Sequence, residues 1–496
     1  MTSIADTTFD RSLKTALYWQ LYLHLRDSIL AGRLKKGTKL PSTRALAAEL
    51  NVSRNTVLNA YEQLLAEGYL ESIEASGTFV AAALPDTFMT SAPSPPRPGR
   101  SSQLDSPHPN LSRNGEVISA VPDLAPHTGD EFRQRPFVAG IPALDAFPSE
   151  LWGKLVARRA RHITSQALTY QESIGYQPLR EVIAAHVTVT RRVHCTPDQV
   201  IITAGSQGAL DLAARVLLSP GDSVWIEDPG YPGARGALLA AGATIIPVPV
   251  DNEGLNVSAG IALCPDARLV YLTPSHQFPL GMTMSLSRRV AVLEWAKRAG
   301  AYILEDDYDS EYRFTGRSLA TLQGLDEADR VIYIGTFSKV MFPALRLGYL
   351  ILPQSLVDPF LAMRRYIDTH PPLLEQAVLA DFIGEGHFNR HLRRMRTLYA
   401  ERRATLLAAM KELPLEIHAA ETGMHCIGWL PAEMSDEVVS RRAAAHDVHV
   451  TPLSKFSMMP MARQGLLLGY SGIDESHIRD GAHRLAIAIR ETGTIK

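Results

Sequence analysis

Hydrophobic positions in the first eighty residues follow a helical spacing. Between residues 16 and 32 they recur at i, i+3 and i+4, as Tyr18, Leu21, Tyr22, Leu25 and Ile29. Residues at these intervals lie on one face of an α-helix, so the pattern predicts an amphipathic helix. The chain therefore begins with a helix that needs partners on one side.

Two further helices are indicated by their start signals. Ser42 precedes the pattern of residues 44–50, and Ser53 precedes a second helical pattern. The inner face of that last helix is Val57, Tyr61, Leu64 and Leu65. Serine is a preferred N-cap, and the tight turn at residues 51–52 makes the pair a helix-turn-helix. Residues 69–80 predict a small hairpin, its wing, so residues 1–80 form one DNA-binding domain.

After residue 200, short apolar runs alternate with helical stretches. The runs are residues 200–203, 223–226, 244–248, 269–273, 302–304 and 331–334. This alternation predicts a mostly parallel α/β sheet that is covered on both faces. We expect the sheet in a large domain over residues 131–385, followed by a smaller α+β domain over residues 386–496. The basic stretch 391–403 is either a packing helix or a second surface for DNA.

Residues 84–130 lack any apolar periodicity. Nine prolines fall there among serines and glycines. This composition predicts a linker, which as a flexible coil would span roughly 35–40 Å. Such a reach allows a domain-swapped homodimer, in which the DNA-binding domain of one subunit lies on the other subunit.

Charge supports DNA binding by the N-terminal domain. The whole chain is almost neutral, with 50 basic and 52 acidic residues. Residues 26–54, in contrast, hold seven basic residues and two acidic ones. Such an excess matches a phosphate backbone, although a solvated basic face on a structural bundle is the alternative.

Composition excludes several other classes. Cys195, Cys264 and Cys426 are isolated, and the histidines lack metal-ligand spacing, so neither a disulfide framework nor a metal site is expected. No run of eighteen apolar residues occurs, and the first ten residues do not resemble a signal peptide. We therefore expect a cytoplasmic protein that does not bind membranes.

Three residues suggest the chemistry of the large domain. Asp306 and Tyr308 follow the apolar run 302–304, and Lys339 follows the run 331–334. Lysine, acid and phenol are the groups that pyridoxal 5′-phosphate (PLP) requires. The amine holds the aldehyde as a Schiff base, the acid keeps the pyridine nitrogen protonated, and the phenol hydrogen-bonds the ring oxygen.

A glycine turn predicts an anion site. Residues 200–203 lead into Ala-Gly-Ser-Gln-Gly at 204–208 and then into a helical pattern. Free backbone N–H groups and the positive end of the helix dipole meet at such a turn. Arg346 can add a fixed charge through its planar fork of donors. Tyr231 lies in a rigid turn, where its ring could stack on a cofactor; an ordinary Pro-Gly loop is the alternative.

Together these motifs resemble the fold-type I PLP enzymes of the aspartate aminotransferase class. The segment Thr-Pro-Ser-His-Gln-Phe-Pro-Leu-Gly at 273–281 resembles the variant in the MocR/GabR group of GntR-type transcriptional regulators. Leu-Pro-Ser-Thr-Arg at 40–44 and Val-Ser-Arg-Asn-Thr-Val at 52–57 resemble the GntR-type winged helix. The likeness covers nearly the whole chain except the linker. It implies a winged helix-turn-helix joined to an aminotransferase-like α/β fold with large and small domains.

The resemblance also implies roles for individual residues. Lys339 would bind PLP as a Schiff base, and Asp306 would pair with the ring nitrogen. Tyr308 would hydrogen-bond the ring oxygen, and Tyr231 would stack on the ring. The phosphate would be bound by Ser206, Gln207, Thr336, Ser338 and Arg346. Further cofactor-binding candidates are His276, as a positional polar residue, Gln277 and Tyr170. The DNA-binding candidates are Ser42, Arg44, Ser53, Arg54, Asn55, Thr56 and, in the wing near the minor groove, Gly77 and Thr78.

Three functions compete on this basis. The first is a regulator that binds a double-stranded DNA operator and senses a small amine, an amino acid or PLP. The second is an aminotransferase with an attached DNA-binding domain. The third is a DNA-binding module with a degenerate α/β domain. The retained cofactor residues argue against the third. Aminotransferases usually bind the substrate carboxylate with an arginine near the C-terminus. In residues 461–470 the position nearest the centre of the predicted strand is leucine, and Arg463 lies several residues earlier. Leu280 also stands where a small hydroxylic residue is expected before Gly281. Both departures weaken the case for efficient transamination. We therefore favour a homodimeric regulator with at most weak transaminase activity.

Overall fold

The structure, a computed structural model, describes residues 9, 16–73, 76–81, 135–314, 320–418 and 422–493. The chain divides into two compact units, Met1–Ser106 and Pro107–Lys496. The predicted linker, residues 84–130, lies outside the described residues. Each unit is therefore considered by itself.

The first unit contains three helices and a hairpin. The helices are α1 (Leu17–Leu30), α2 (Thr43–Glu49) and α3 (Arg54–Ala66), and the strands are β1 (Leu70–Ile73) and β2 (Gly77–Val80). Ser42 Oγ accepts a hydrogen bond from Ala45 N at 3.2 Å and Ser53 Oγ accepts one from Thr56 N at 3.1 Å, so both predicted N-caps are formed. The turn between α2 and α3 includes Asn51, which has a positive φ of 52°.

The first unit has a hydrophobic core of its own. The face of α1 that carries Leu21 and Leu25 packs with Leu46 of α2, Leu64 of α3 and Val80 of β2. All five side chains are at most 3% exposed. The hairpin strands are antiparallel, with Leu70 opposite Val80. These contacts make a winged helix-turn-helix, as the apolar pattern predicted.

The second unit alternates helices and strands. Its helices are α4 (Ser149–Arg161), α5 (Gln177–Arg191), α6 (Gly205–Leu217), α7 (Pro232–Ala240), α8 (Val257–Leu263), α9 (Leu286–Ala299), α10 (Leu322–Leu325), α11 (Gln354–Arg364), α12 (Leu373–Gly384), α13 (His387–Ala409), α14 (Asp436–Ala445) and α15 (Glu475–Gly493). Its strands are β3 (Val200–Thr203), β4 (Ser223–Asp228), β5 (Thr244–Asp251), β6 (Gly254–Leu255), β7 (Leu269–Leu272), β8 (Tyr302–Asp307), β9 (Val331–Thr336), β10 (Gly348–Ile351), β11 (Glu416–His418), β12 (His425–Trp429), β13 (Thr451–Pro452) and β14 (Gly465–Gly469).

Eight strands form the large sheet, in the order β3-β10-β9-β8-β7-β4-β5-β6. Strands β5, β4, β7, β8 and β9 are parallel neighbours, which confirms the predicted mostly parallel sheet. Strand β10 was not predicted; it lies antiparallel between β9 and β3. Parallel strands are buried on both faces, which explains their continuous apolar runs.

Strand β10 brings the lysine segment and the glycine turn together. A Cβ on Gly348, at the start of β10, would lie 2.9 Å from Gly205 Cα. This close backbone approach requires glycine. Arg346 lies two residues before β10, and its side chain reaches the turn at the start of α6.

A four-stranded antiparallel sheet follows, in the order β11-β12-β14-β13. The basic helix α13 buries Phe388, Leu392, Met395 and Tyr399, and Arg402 is 3% exposed with its Nη2 2.8 Å from Asp145 Oδ2. This burial supports the interpretation of α13 as a packing helix. Within the described part of the chain, no helix combines the length and apolar character needed to cross a membrane.

Candidate cofactor and DNA-binding sites

A cavity of about 340 Å³ opens at the carboxyl ends of the parallel strands. Tyr271 of β7, Asp306 of β8 and Thr336 of β9 line it, together with Ser206 at the start of α6. Open α/β sheets commonly bind ligands at this edge, because loops there bring polar groups together. Lys339, Tyr308 and Tyr231 also line the cavity, so residues far apart in sequence converge on it.

Lys339 is a partly buried amine at the cavity wall. Its Nζ donates a hydrogen bond to Gly140 O at 2.8 Å. Burial lowers the pKa of Lys339, which increases the fraction of neutral, nucleophilic amine. Gly140 has a φ of 78°, and a Cβ there would lie 2.8 Å from Nζ, so a larger residue would displace the amine.

Asp306 is a buried carboxyl group with one free oxygen. Its Oδ2 accepts a hydrogen bond from Tyr271 Oη at 2.8 Å, whereas its Oδ1 has no hydrogen-bond partner among the described residues. Burial raises the pKa of Asp306 to about 7. A cationic group beside Oδ1 would favour the ionised form and satisfy the free oxygen. The site thus favours a cationic, hydrogen-bonding ligand atom.

Tyr308 is held by a buried imidazole and a buried carboxylate. Tyr308 Oη lies 3.0 Å from His276 Nδ1, which lies 2.9 Å from Asp309 Oδ1. His276 and Asp309 are each 1% exposed. A proton on Nδ1, shared between Asp309 and Tyr308, leaves the phenol proton free to point into the cavity. Burial raises the pKa of Tyr308 well above its usual range, so the phenol remains a donor.

His276 itself lies behind this wall, which agrees with a positional role. His425 stacks on it with ring centroids 4.8 Å apart. His276, Asp309 and His425 could each offer a ligand atom to a cation, because these atoms lie within 4.8 Å of one another. His276 Nδ1 is hydrogen-bonded to Asp309 Oδ1, and His425 Nε2 donates to Pro279 O, so we assign no metal to these residues.

The residues that were predicted to bind the phosphate all line the cavity. They are Ser206, Gln207, Thr336, Ser338 and Arg346. Arg346 Nη2 donates to Ala204 O at 3.0 Å, which holds the guanidinium against the turn. Gly205 has a φ of 74°, and a Cβ there would lie 3.3 Å from that guanidinium. Free amide groups, hydroxyls and a fixed cation make this end of the cavity an anion site.

Two further predicted cofactor residues, Gln277 and Tyr170, and the predicted substrate-carboxylate residue Arg463 do not line the cavity. Gln277 is buried, and its Nε2 donates to Pro229 O at 2.9 Å, so it supports the turn before Tyr231. Tyr170 is 88% exposed. Arg463 pairs with Glu416 (Nη2 to Oε2, 2.6 Å). The expectation that Arg463 binds a substrate carboxylate is therefore corrected, because Glu416 already neutralises its charge away from the cavity.

Several cavity residues were missed by sequence reasoning. Tyr271 is a phenol inside the buried strand β7, and a polar group in an apolar run could have indicated it. Asp309 follows the Asp306–Tyr308 motif directly, which was a second available signal. His425 and Phe278 complete the wall through tertiary packing, and spacing alone does not indicate them.

The DNA-binding candidates fall into two groups. Arg44, Arg54 and Asn55 have exposed side chains at the starts of α2 and α3, where a recognition helix meets base edges. The hydroxyls of Ser42 and Ser53 cap their helices. In the same way Thr56 is tied locally, with its Oγ1 2.9 Å from Ser53 Oγ. In the wing, Gly77 is exposed and Thr78 is half-buried.

Comparison with known families agrees with both units. Residues 17–80 match the gntR family of bacterial regulatory proteins, and residues 143–485 match aminotransferase class I and II. The protein is thus of the class that joins a DNA-binding winged helix to an aminotransferase-type domain. Enzymes of this aminotransferase fold are PLP-dependent.

Relatives of full length make the assignment specific. The chain is 41% identical to the probable rhizopine catabolism regulatory protein MocR of Rhizobium meliloti, over 98% of this chain and 97% of that protein. It is 36% identical to the transcriptional regulator TauR of Rhodobacter capsulatus, over 96% and 97% of the two chains. The structure of LysN, an α-aminoadipate aminotransferase from Thermus thermophilus complexed with N-(5′-phosphopyridoxyl)-L-leucine, superposes with a TM-score of 0.69 and 29% identity, over 78% of this chain and 98% of LysN. The chain belongs to the MocR-type transcriptional regulators of the GntR family.

Proposed function

We propose that this regulator binds PLP at Lys339 and changes its affinity for operator DNA in response to a small amine, an amino acid or PLP. The proposal rests mainly on the environment of the Asp306 carboxyl group. Within the described part of the chain, its buried Oδ1 has no hydrogen-bond partner, and Asp306 lines the same cavity as the partly buried amine of Lys339. A pyridine nitrogen that carries a proton would satisfy this oxygen and favour the charged carboxylate.

The other described residues fit the remaining parts of PLP. The turn at α6 and Arg346 form an anion site for its phosphate. The Tyr308 phenol, oriented by His276, is a donor for its ring oxygen, and the Tyr231 ring offers an apolar face. Each part of the cofactor thus has a matching group on the cavity wall.

PLP, when bound, supplies an aldehyde carbon that links reversibly to amines. Lys339 would hold that carbon, and its lowered pKa keeps the amine available for the link. Asp306 would hold a proton at the ring nitrogen, and Tyr308 would orient the ring oxygen. These roles apply equally to a sensor and to an enzyme.

Regulation requires that the effector distinguish two states of the protein. A ligand that binds the DNA-competent and DNA-incompetent states equally well does not change the equilibrium between them. Typical coupling free energies are about 1–3 kcal/mol, so operator affinity should change about 5- to 100-fold. We also propose that a homodimer presents two winged helices to two half-sites, which sedimentation of the protein–operator complex would test.

The test compares operator binding by apo, PLP-loaded and amine-treated protein, with Lys339→Ala as the variant. PLP-loaded natural protein should be yellow, with an absorption band that is reducible by borohydride and lost in Lys339→Ala. Operator affinity should differ among the three forms of the natural chain. A borohydride-reducible adduct retained in Lys339→Ala would refute the assignment of this lysine.

The second candidate is a working aminotransferase, which the likeness to LysN favours. It predicts rapid multiple turnover of an amino acid with a keto acid. Equal operator affinity of all three forms, together with such turnover, would overturn the sensor and support the enzyme.

A further inference from the structure

The C-terminal sheet adds an apolar patch to the wall of the cavity. Leu467 of β14 and Phe456 line the cavity, and they pack with Leu280, Ile427 and Leu453 in one apolar cluster. Leu467 is 1% exposed and lies between Ile427 of β12 and Thr451 of β13 in the sheet register. A ligand that extends from Lys339 to Leu467 and Phe456 therefore meets two side chains that offer no hydrogen-bond donor.

The cations on the described cavity wall are Lys339, Arg346 and Lys455, and two of them already have assigned places. Lys339 Nζ donates a hydrogen bond to Gly140 O. Arg346 Nη2 donates one to Ala204 O, at the end of the cavity that is proposed to bind the phosphate. Lys455 has an exposed side chain in the helical turn Leu453–Phe456, where water competes for its charge. The C-terminal part of the described wall thus contains no buried lysine or arginine.

Two polar groups on this side, one imidazole and one hydroxyl, are neutral. Burial lowers the pKa of His425 to about 3, so its imidazole is uncharged, and its Nε2 donates to Pro279 O at 3.0 Å. Ser440 Oγ donates to Val450 O at 2.7 Å and retains an acceptor. Neutral imidazole and hydroxyl groups can bind hydroxyls or amides of a ligand, but they do not neutralise an anion.

We propose that the effector of this site is a primary amine that carries no carboxylate next to its amino group. A carboxylate placed against Leu467 and Phe456 would lose its water without gaining a cation. This inference rests on the proposed function and deepens it, because it selects amines over amino acids among the candidate effectors. An amine should bind about 10- to 100-fold more tightly than the amino acid with the same side chain.

The experiment uses PLP-loaded natural protein and two matched series of probes. One series is leucine, leucinamide and 3-methylbutylamine; the other is serine, serinamide and 2-aminoethanol. Within each series the carboxylate is replaced by a neutral amide or by hydrogen. Binding is measured by isothermal titration calorimetry, and the visible absorption band confirms that PLP is loaded.

The amines should bind most tightly, the amides next and the amino acids least. Equal or tighter binding of leucine and serine would overturn the inference, and loss of that binding in Lys455→Gln would show that the exposed lysine holds the carboxylate. Absence of the PLP band would instead refute the proposed function, so the two failures are distinguishable.

A variant tests the wall directly. Leu467→Arg should bring amino acid binding to within about threefold of amine binding, whereas Leu467→Met should keep the natural order. Thermal unfolding checks that both variants fold. A folded Leu467→Arg protein with the natural order would overturn the placement of Leu467 at the ligand, and if that variant does not fold, the probe series in the natural chain still decides.

Discussion

Tyr271→Phe should weaken PLP binding in a pH-dependent manner. The substitution removes one hydroxyl, which donates a 2.8 Å hydrogen bond to Asp306 Oδ2, and it keeps the ring that packs in β7. Both side chains are buried, so water does not replace the lost bond without rearrangement. The main consequence is therefore electrostatic and falls on the Asp306 carboxylate.

The size of the effect follows from the lost hydrogen bond. A hydrogen bond to a charged group contributes about 1.5–3 kcal/mol, which corresponds to about one to two pKa units. Burial already raises the pKa of Asp306 to about 7, and the variant raises it further. The ionised carboxylate that should bind the protonated pyridine is then scarce at neutral pH. We expect PLP affinity near pH 7 to fall about 10- to 100-fold and to recover as the pH rises through the new pKa.

The assay is a PLP titration between pH 6.5 and pH 9, followed by absorbance. Tyr333→Phe is the matched control, since Tyr333 Oη donates to Asp307 Oδ2 at 2.7 Å and that pair also is buried. The control should lose stability but keep the natural pH profile of PLP binding. Identical profiles for the natural chain and Tyr271→Phe, or equal shifts in both variants, would refute the reasoning.

Three further predictions concern single residues. Ser53→Ala removes the N-cap of α3 and should cost about 1 kcal/mol, measured as a lower thermal midpoint of the N-terminal unit; an unchanged midpoint would contradict the cap. Arg54→Ala should weaken operator binding by roughly 1–3 kcal/mol and relax specificity at one position. Its comparison is Lys36→Ala, in the basic segment 26–54, which should weaken binding to all sequences and flatten the salt dependence of binding. Equal, sequence-independent losses in both variants would show that the recognition helix is misplaced. Gly205→Ala places a Cβ 3.3 Å from the Arg346 guanidinium at a φ of 74°, so PLP titration should show an affinity reduced about tenfold or more, and retained affinity would argue against the phosphate site.

The sequence predicted the elements that are built from local patterns. The helical stripe of α1 and the serine caps of α2 and α3 come from neighbouring residues, and so do the apolar runs of β3, β4, β5, β7, β8 and β9. Strand β10 was missed because its place derives from antiparallel pairing with β9 and β3. Its existence depends on tertiary contacts, which a periodicity does not encode.

The cavity was predictable to the same extent. Asp306 was found because it lies at the end of the buried strand β8, and Tyr308 and Lys339 because they follow β8 and β9. Their convergence needs only a parallel sheet. Tyr271 and Asp309 act through side chains that meet across strands, so spacing did not reveal them. Arg463 was selected for its position in sequence near β14, but the side-chain direction there leads it to Glu416.

The separate core of the winged-helix unit has a consequence for how such regulators diversify. Leu21, Leu46 and Leu64 complete that core with residues from the same short segment, so its folding information lies within about seventy residues. A gene fragment of this length can be recombined with a different sensor gene without redesigning either interior. New combinations of operator and signal can thus arise by exchange of whole segments, while point mutations adjust each part independently.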